Sequence, residues 1–148
     1  ASIYQQHHGD DGIYAPPPLD LAAEQKTGSF VRQQILSGGI SAAHDIADGG
    51  LVVAIAEMAM RSGFGADIAV PKTGNLHGWA FGEDQARFVV STADSQTLTA
   101  AAKEAGIKIT KLGMVSDRSE LKFGDNDTIS IAELNTVFEG CIPALMAG

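Results

Sequence analysis

An α+β domain with a mixed, mainly antiparallel sheet covered by helices is the fold class that this 148-residue sequence predicts. Three observations carry the prediction. Helix-period apolar patterns and short β-branched runs are intermixed along the chain, and the connections between them are short. Glycine pairs and single prolines punctuate nearly every change of pattern. Hydrophobic residues make up 45% and charged residues 19%, which supplies a core without a disulfide or metal staple.

Residues 1–18 read as a linker. Ile3-Tyr4 is followed by a polar stretch and then Pro16-Pro17-Pro18, a run that favours extended polyproline geometry and cannot open inside a helix or a central strand. Residues 19–148 read as one domain. Asp20 stands at an N-cap position, and Leu21, Gly28, Val31 and Ile35 recur on one helical face until Gly38-Gly39 ends it. Residues 40–46 predict a strand, and Asp48-Gly49-Gly50 turns the chain. Between 51 and 61 every residue but Glu57 and Arg61 is apolar, so this helix should be buried nearly all round. Gly63 and Gly65 close it. Residues 66–70 predict a strand stopped by Pro71, and 87–91 a second one of β-branched and aromatic residues. Asp94 caps a helix through Leu98, Ala101, Ala102 and Ala105. Residues 107–110, 112–115, 121–123 and 128–131 predict four short strands, the last two joined by a turn over 124–127. Ser130 and Glu133 have capping-box spacing and open a final helix, which Pro143 should interrupt.

Charge and cysteine content exclude whole classes of function. Ten Lys+Arg against eighteen Asp+Glu give a net charge of −8, and no basic residue follows Lys122. Binding to nucleic acid or an anionic membrane needs clustered cations, so neither partner is expected. No apolar run approaches the roughly 20 residues that span a bilayer. The single Cys141 excludes an internal disulfide and a multi-cysteine metal site, which suits a reducing cytoplasm. The chain opens on Ala1 with no signal-peptide pattern, which raises the expectation of a piece of a longer protein.

Two motifs carry chemistry. In Ala43-His44-Asp45-Ile46-Ala47-Asp48-Gly49-Gly50-Leu51 a strand runs into two glycines and an apolar helix. Free N–H groups at Gly49, Gly50 and Leu51 would suit an anion; the plainer reading is that Asp48 caps the helix and the glycines only turn the chain. A helix terminus contributes about 0.3–1 kcal/mol, whereas micromolar binding needs about 8 kcal/mol. On so acidic a chain the remaining cations would have to come from elsewhere. The second motif is Gly82-Glu83-Asp84-Gln85-Ala86-Arg87 before a strand. Gln85 and Arg87, two apart, would face the same way in a strand and offer a planar amide and a bidentate cation. Here the plainer reading is an edge strand whose Arg87 pairs with Glu83 or Asp84. His44 and Asp48 have no third ligand nearby, Cys141 has no basic neighbour, and no Walker-type loop occurs, so no catalytic or metal residue is expected.

In this order, with Pro17-Pro18-Leu19-Asp20-Leu21 before them and Ile142-Pro143-Ala144-Leu145-Met146 after, these motifs resemble the C-terminal domain of the aminoimidazole ribonucleotide synthetase-like superfamily. The likeness runs through nearly the whole chain. Its Gly-Glu-x-Gln-x-Arg string points to the amidotransferase-coupled, formylglycinamidine-forming branch, and away from thiamine-monophosphate kinase and selenophosphate synthetase. The resemblance implies a ligase that uses ATP and Mg2+ to activate the amide oxygen of formylglycinamide ribonucleotide, with ammonia from a glutaminase subunit or domain displacing phosphate. It implies that nucleotide, metal and catalytic histidine sit on upstream ATP-binding domains, so the isolated chain should be inactive. Substrate or anion contacts would fall on Asp48, Gly49, Gly50, Glu83, Gln85 and Arg87. In the first half of such enzymes a Ser stands where this chain has Asp84, an acid that would repel phosphate, which implies a structural or vestigial copy. A non-catalytic assembly module and the equivalent domain of a sister enzyme, such as aminoimidazole ribonucleotide synthetase, are the alternatives.

Overall fold

The computed structural model describes residues 3–8, 19–125 and 127–147. The described elements follow in the order α1 (Ile3–His8), α2 (Leu21–Leu36), β1 (Ala42–Asp45), α3 (Gly50–Ser62), β2 (Gly65–Ile68), α4 (Leu76–Phe81), β3 (Phe88–Ser91), α5 (Ser95–Glu104), β4 (Gly113–Ser116), β5 (Glu120–Phe123), β6 (Asp127–Ser130) and α6 (Ile131–Ala147). Among the described strands, three pairings are antiparallel and one is parallel, as the mixed, mainly antiparallel expectation requires. The described residues gather into two compact units, one within 1–55 and 73–111 and the other within 56–72 and 112–148.

In the first unit, α2 begins where Asp20 accepts hydrogen bonds from the amides of Ala22 (3.1 Å) and Ala23 (3.0 Å). Val31, Ile40 and Leu98 form a buried cluster, with Phe30, Phe88, Val90 and Ile109 packed against it. β1 and β3 pair with Ala42 opposite Ser91 and Asp45 opposite Phe88, which carries the 43–51 motif beside the 82–90 motif. α5 is capped by Asp94 as expected. The strand expected over 107–110 is absent. Ile107 instead donates its N–H to Ala102 and completes the end of α5, and Ile109 joins the core cluster, so burial rather than pairing explains the alternation.

The second unit is a four-stranded sheet in the order β4-β2-β5-β6. A Cβ at Gly65 would run into the carbonyl oxygens of Arg118 and Glu120, so this position on the central strand admits only glycine. Leu121 on β5 is 1% exposed. At the start of α6 the Ser130 amide donates to Glu133 (3.0 Å) and the Glu133 amide donates to the Ser130 hydroxyl (3.1 Å), the capping box read from the sequence. Pro143 does not interrupt α6, contrary to expectation. A proline removes one helical bond, and on this exposed stretch water can take the freed carbonyl.

Within the stretch read as a linker, Ile3–His8 is helical. The Pro16–Pro18 run on which that reading leaned lies outside the described residues.

Candidate functional site

The two motifs meet in the first unit at the Gly49-Gly50 turn. Gly49 and Gly50 both have positive φ, +84° and +76°. That region disfavours any side chain, and at Gly50 close packing adds a second reason. A Cβ there would lie 2.6 Å from the carbonyl carbon and Cα of Phe81, so the end of α4 sits directly on the backbone that opens α3. From Leu51 to Met60, α3 is buried or half-buried, as its sequence predicts.

Two of the three amides expected to be free, those of Gly49 and Gly50, are engaged. Gly49 donates its N–H to Glu83 Oε1 at 3.0 Å, and Gly50 donates to the Ala47 carbonyl at 3.1 Å. Glu83 thus supplies from inside the chain the negative charge that a bound anion would supply, at the electropositive end of α3. Asp48 does not cap the helix: it is exposed, and among the described residues no bond joins its carboxylate to the first turn of α3. The capping carboxylate comes from a residue 34 positions away, which no local spacing could reveal.

Gln85 and Arg87 do not share a strand face. β3 begins only at Phe88, and Ala86 between them has φ +60°, unusual for a residue with a side chain. That kink breaks the alternation on which the expectation rested. Gln85 is exposed, whereas Arg87 folds back, donating Nη1–H to the Gly82 carbonyl (3.4 Å) and pairing with Asp84 (3.3 Å). Of the two partners offered for Arg87, the structure selects Asp84. His44 has its ring Nδ1 2.7 Å from the Asp45 carbonyl oxygen. Among the described residues no three His, Cys, Asp or Glu converge to hold a metal ion.

Sequence reasoning missed α4 and its attachments. The signal was present: Asn75 precedes Leu76-His77-Gly78-Trp79-Ala80-Phe81 and caps it, its side chain accepting from Gly78 N–H at 2.9 Å. Against α4 lies Tyr4, stacked on Phe81 with centroids 4.2 Å apart and edge-on to His77 at 4.8 Å. The Ile3 amide donates to the same Glu83 Oε1, at 2.9 Å. A separate cavity of about 380 Å3 in this unit is lined by Val31, Arg32, Ile35, His44, Asp45 and Phe88 among others, and by none of the candidate residues.

Comparison with known proteins gives a consistent result. The family described as "AIR synthase related protein, C-terminal domain" matches residues 1–126. A phosphoribosylformylglycinamidine synthase subunit from Parvibaculum lavamentivorans is 46% identical over 139 residues, 93% of this chain and 19% of that protein. One from Methylocella silvestris is 46% identical over 135 residues, 90% of this chain and 18% of its own. The chain therefore spans about a fifth of the length of the curated relatives that it matches. Among solved structures, Thermotoga maritima PurL complexed with FGAR superposes with TM-score 0.71 at 16% identity, covering 85% of this chain and 23% of that one. The same protein complexed with ATP superposes with TM-score 0.63 at 16% identity, covering 74% and 21%. At such identities these structures establish the fold.

Proposed function

The chain belongs to the AIR synthase related protein C-terminal domain family, and on that premise we propose that it is the C-terminal domain of a phosphoribosylformylglycinamidine synthase, a C–N ligase of purine biosynthesis. In the whole enzyme ATP phosphorylates the amide oxygen of formylglycinamide ribonucleotide, and ammonia then displaces phosphate to give the formylglycinamidine. The observation that carries this reading is the 46% identity across 93% of the chain with a curated synthase subunit. Neighbours solved with FGAR and with ATP support it.

The residues present do not fit an ATP–magnesium site: the described acids and histidines form no metal-holding group, and the sequence has no phosphate-cradling loop ending in Lys-Ser/Thr. In this reading ATP and Mg2+ are held by upstream ATP-binding domains, a glutaminase subunit or domain supplies ammonia, and the assembly works in the cytoplasm. This domain's own contribution is positional. Gly49, Gly50, Glu83 and Arg87 lock the turn and the 82–87 loop together, which leaves Asp48 and Gln85 as the solvent-facing groups through which the ribonucleotide or a neighbouring domain would touch it. The internal engagement of the Gly49 and Gly50 amides and of Arg87 favours an assembly role for this copy of the motifs over an anion site.

The test is turnover of the longer polypeptide that carries this chain, read as ATP-dependent phosphate release in the presence of ammonia. Turnover is expected with formylglycinamide ribonucleotide and not with formylglycinamidine ribonucleotide. The reverse preference would assign the chain to the sister aminoimidazole ribonucleotide synthetase. An Arg87→Ala, Gln85→Ala enzyme that keeps its KM supports the assembly role; a KM raised tenfold or more would restore the substrate site.

A further inference from the structure

One carboxylate oxygen serves two segments far apart in sequence. Glu83 Oε1 accepts the Ile3 amide at 2.9 Å and the Gly49 amide at 3.0 Å, so the helix Ile3–His8 and the Gly49-Gly50 turn are held by the same atom. Tyr4 adds a second hold on that helix, stacked on Phe81 and edge-on to His77. The described side chains of this helix are exposed, which places it with the part of a structure that opens first.

We infer that Ile3–His8 is a self-docked strap that keeps the Gly49 amide closed, acting through the rotamer of Glu83. While Ile3 is bound, Oε1 stays at the turn; once the strap leaves, Glu83 loses one of its two tethers, and the Gly49 N–H becomes available to water or to another acceptor. Docking of the amino-terminal segment and accessibility of the turn are then a single equilibrium. The inference stands on this geometry alone and does not depend on the proposed reaction.

Amide hydrogen exchange of the full chain, read by NMR at Ile3 and Gly49 without any substrate, tests it. Tyr4→Ala removes the ring and leaves Glu83 in place. It should raise exchange at Ile3 by about tenfold, the equivalent of one lost hydrogen bond, and should raise exchange at Gly49 with it. Glu83→Ala should raise both together; if that variant fails to fold, Tyr4→Ala decides alone. Unchanged exchange at Gly49 in Tyr4→Ala, whether or not Ile3 speeds up, would overturn the coupling.

Discussion

Replacing Gly50 by Ala puts a methyl group where the backbone of Phe81 already lies. Two costs add. At φ +76° a residue with a Cβ is strained by about 1–2 kcal/mol. The new atom would also stand 2.6 Å from the Phe81 carbonyl carbon and Cα and 3.0 Å from the Ala80 carbonyl oxygen. These are main-chain atoms, so no rotamer change relieves the overlap, and α4 has to shift at about 1–3 kcal/mol. The sum, about 2–5 kcal/mol, is a large part of a typical domain stability of about 5–15 kcal/mol. Gly38→Ala is the matched control: its φ is +79°, with nothing within 4 Å of the new methyl, so only the strain applies. At about 2–4 °C per kcal/mol for a chain of this size, Gly50→Ala should lower Tm by roughly 4–20 °C and Gly38→Ala by roughly 2–8 °C. Urea unfolding of both variants checks the difference. Equal losses in the two would refute the close approach of α4 and leave backbone conformation as the only role of Gly50.

Other consequences are testable in the same way. Leu121→Ala empties a site that is 1% exposed and should cost about 2–5 kcal/mol in urea unfolding; a loss under about 1 kcal/mol would mean that the second unit closes over the cavity. Arg87→Ala removes a half-exposed ion pair worth about 0.2–1 kcal/mol, so a loss above about 2 kcal/mol would show that it anchors more than its own loop. Asp94 is held below the ordinary carboxylate range, first by the Thr97 hydroxyl and then by the Thr97 amide, and Glu133 likewise by the Ser130 hydroxyl and amide. Each binds fewer protons folded than unfolded, so its contribution is present above the unfolded pKa and is lost as pH falls through the lowered folded value. Stability should therefore decline below about pH 4. Thr97→Val with Ser130→Ala should flatten that decline, and an unaltered slope in the double variant would count against these two carboxylates.

What could be read from the residues alone follows the range of the interaction. Asp20, Asp94 and the Ser130–Glu133 pair were legible because a cap is written within three residues of the amides that it serves. The buried helix α3 was legible because burial on all sides leaves a run with almost no polar residue. The candidate site failed where partners are distant. Nothing near Gly49 announces that its amide is met by Glu83, and Asp48 was the obvious local substitute. Ala86 misled in another way, since no spacing rule anticipates positive φ at an alanine between two polar residues. α4 has its cap at Asn75, but six residues are fewer than two helical turns and leave no period to read.

β2 has its two neighbours, β4 and β5, on the far side of a long stretch of chain that belongs to the other unit. During translation residues 65–68 leave the ribosome long before either strand that must flank them, so the second sheet can only zip up late, once residue 123 has emerged. A single cut between 72 and 112 would separate the centre of that sheet from both its edges. Neither half could then be expressed as a self-sufficient fragment, and anyone trimming this polypeptide has to trim around the interleaving rather than through it.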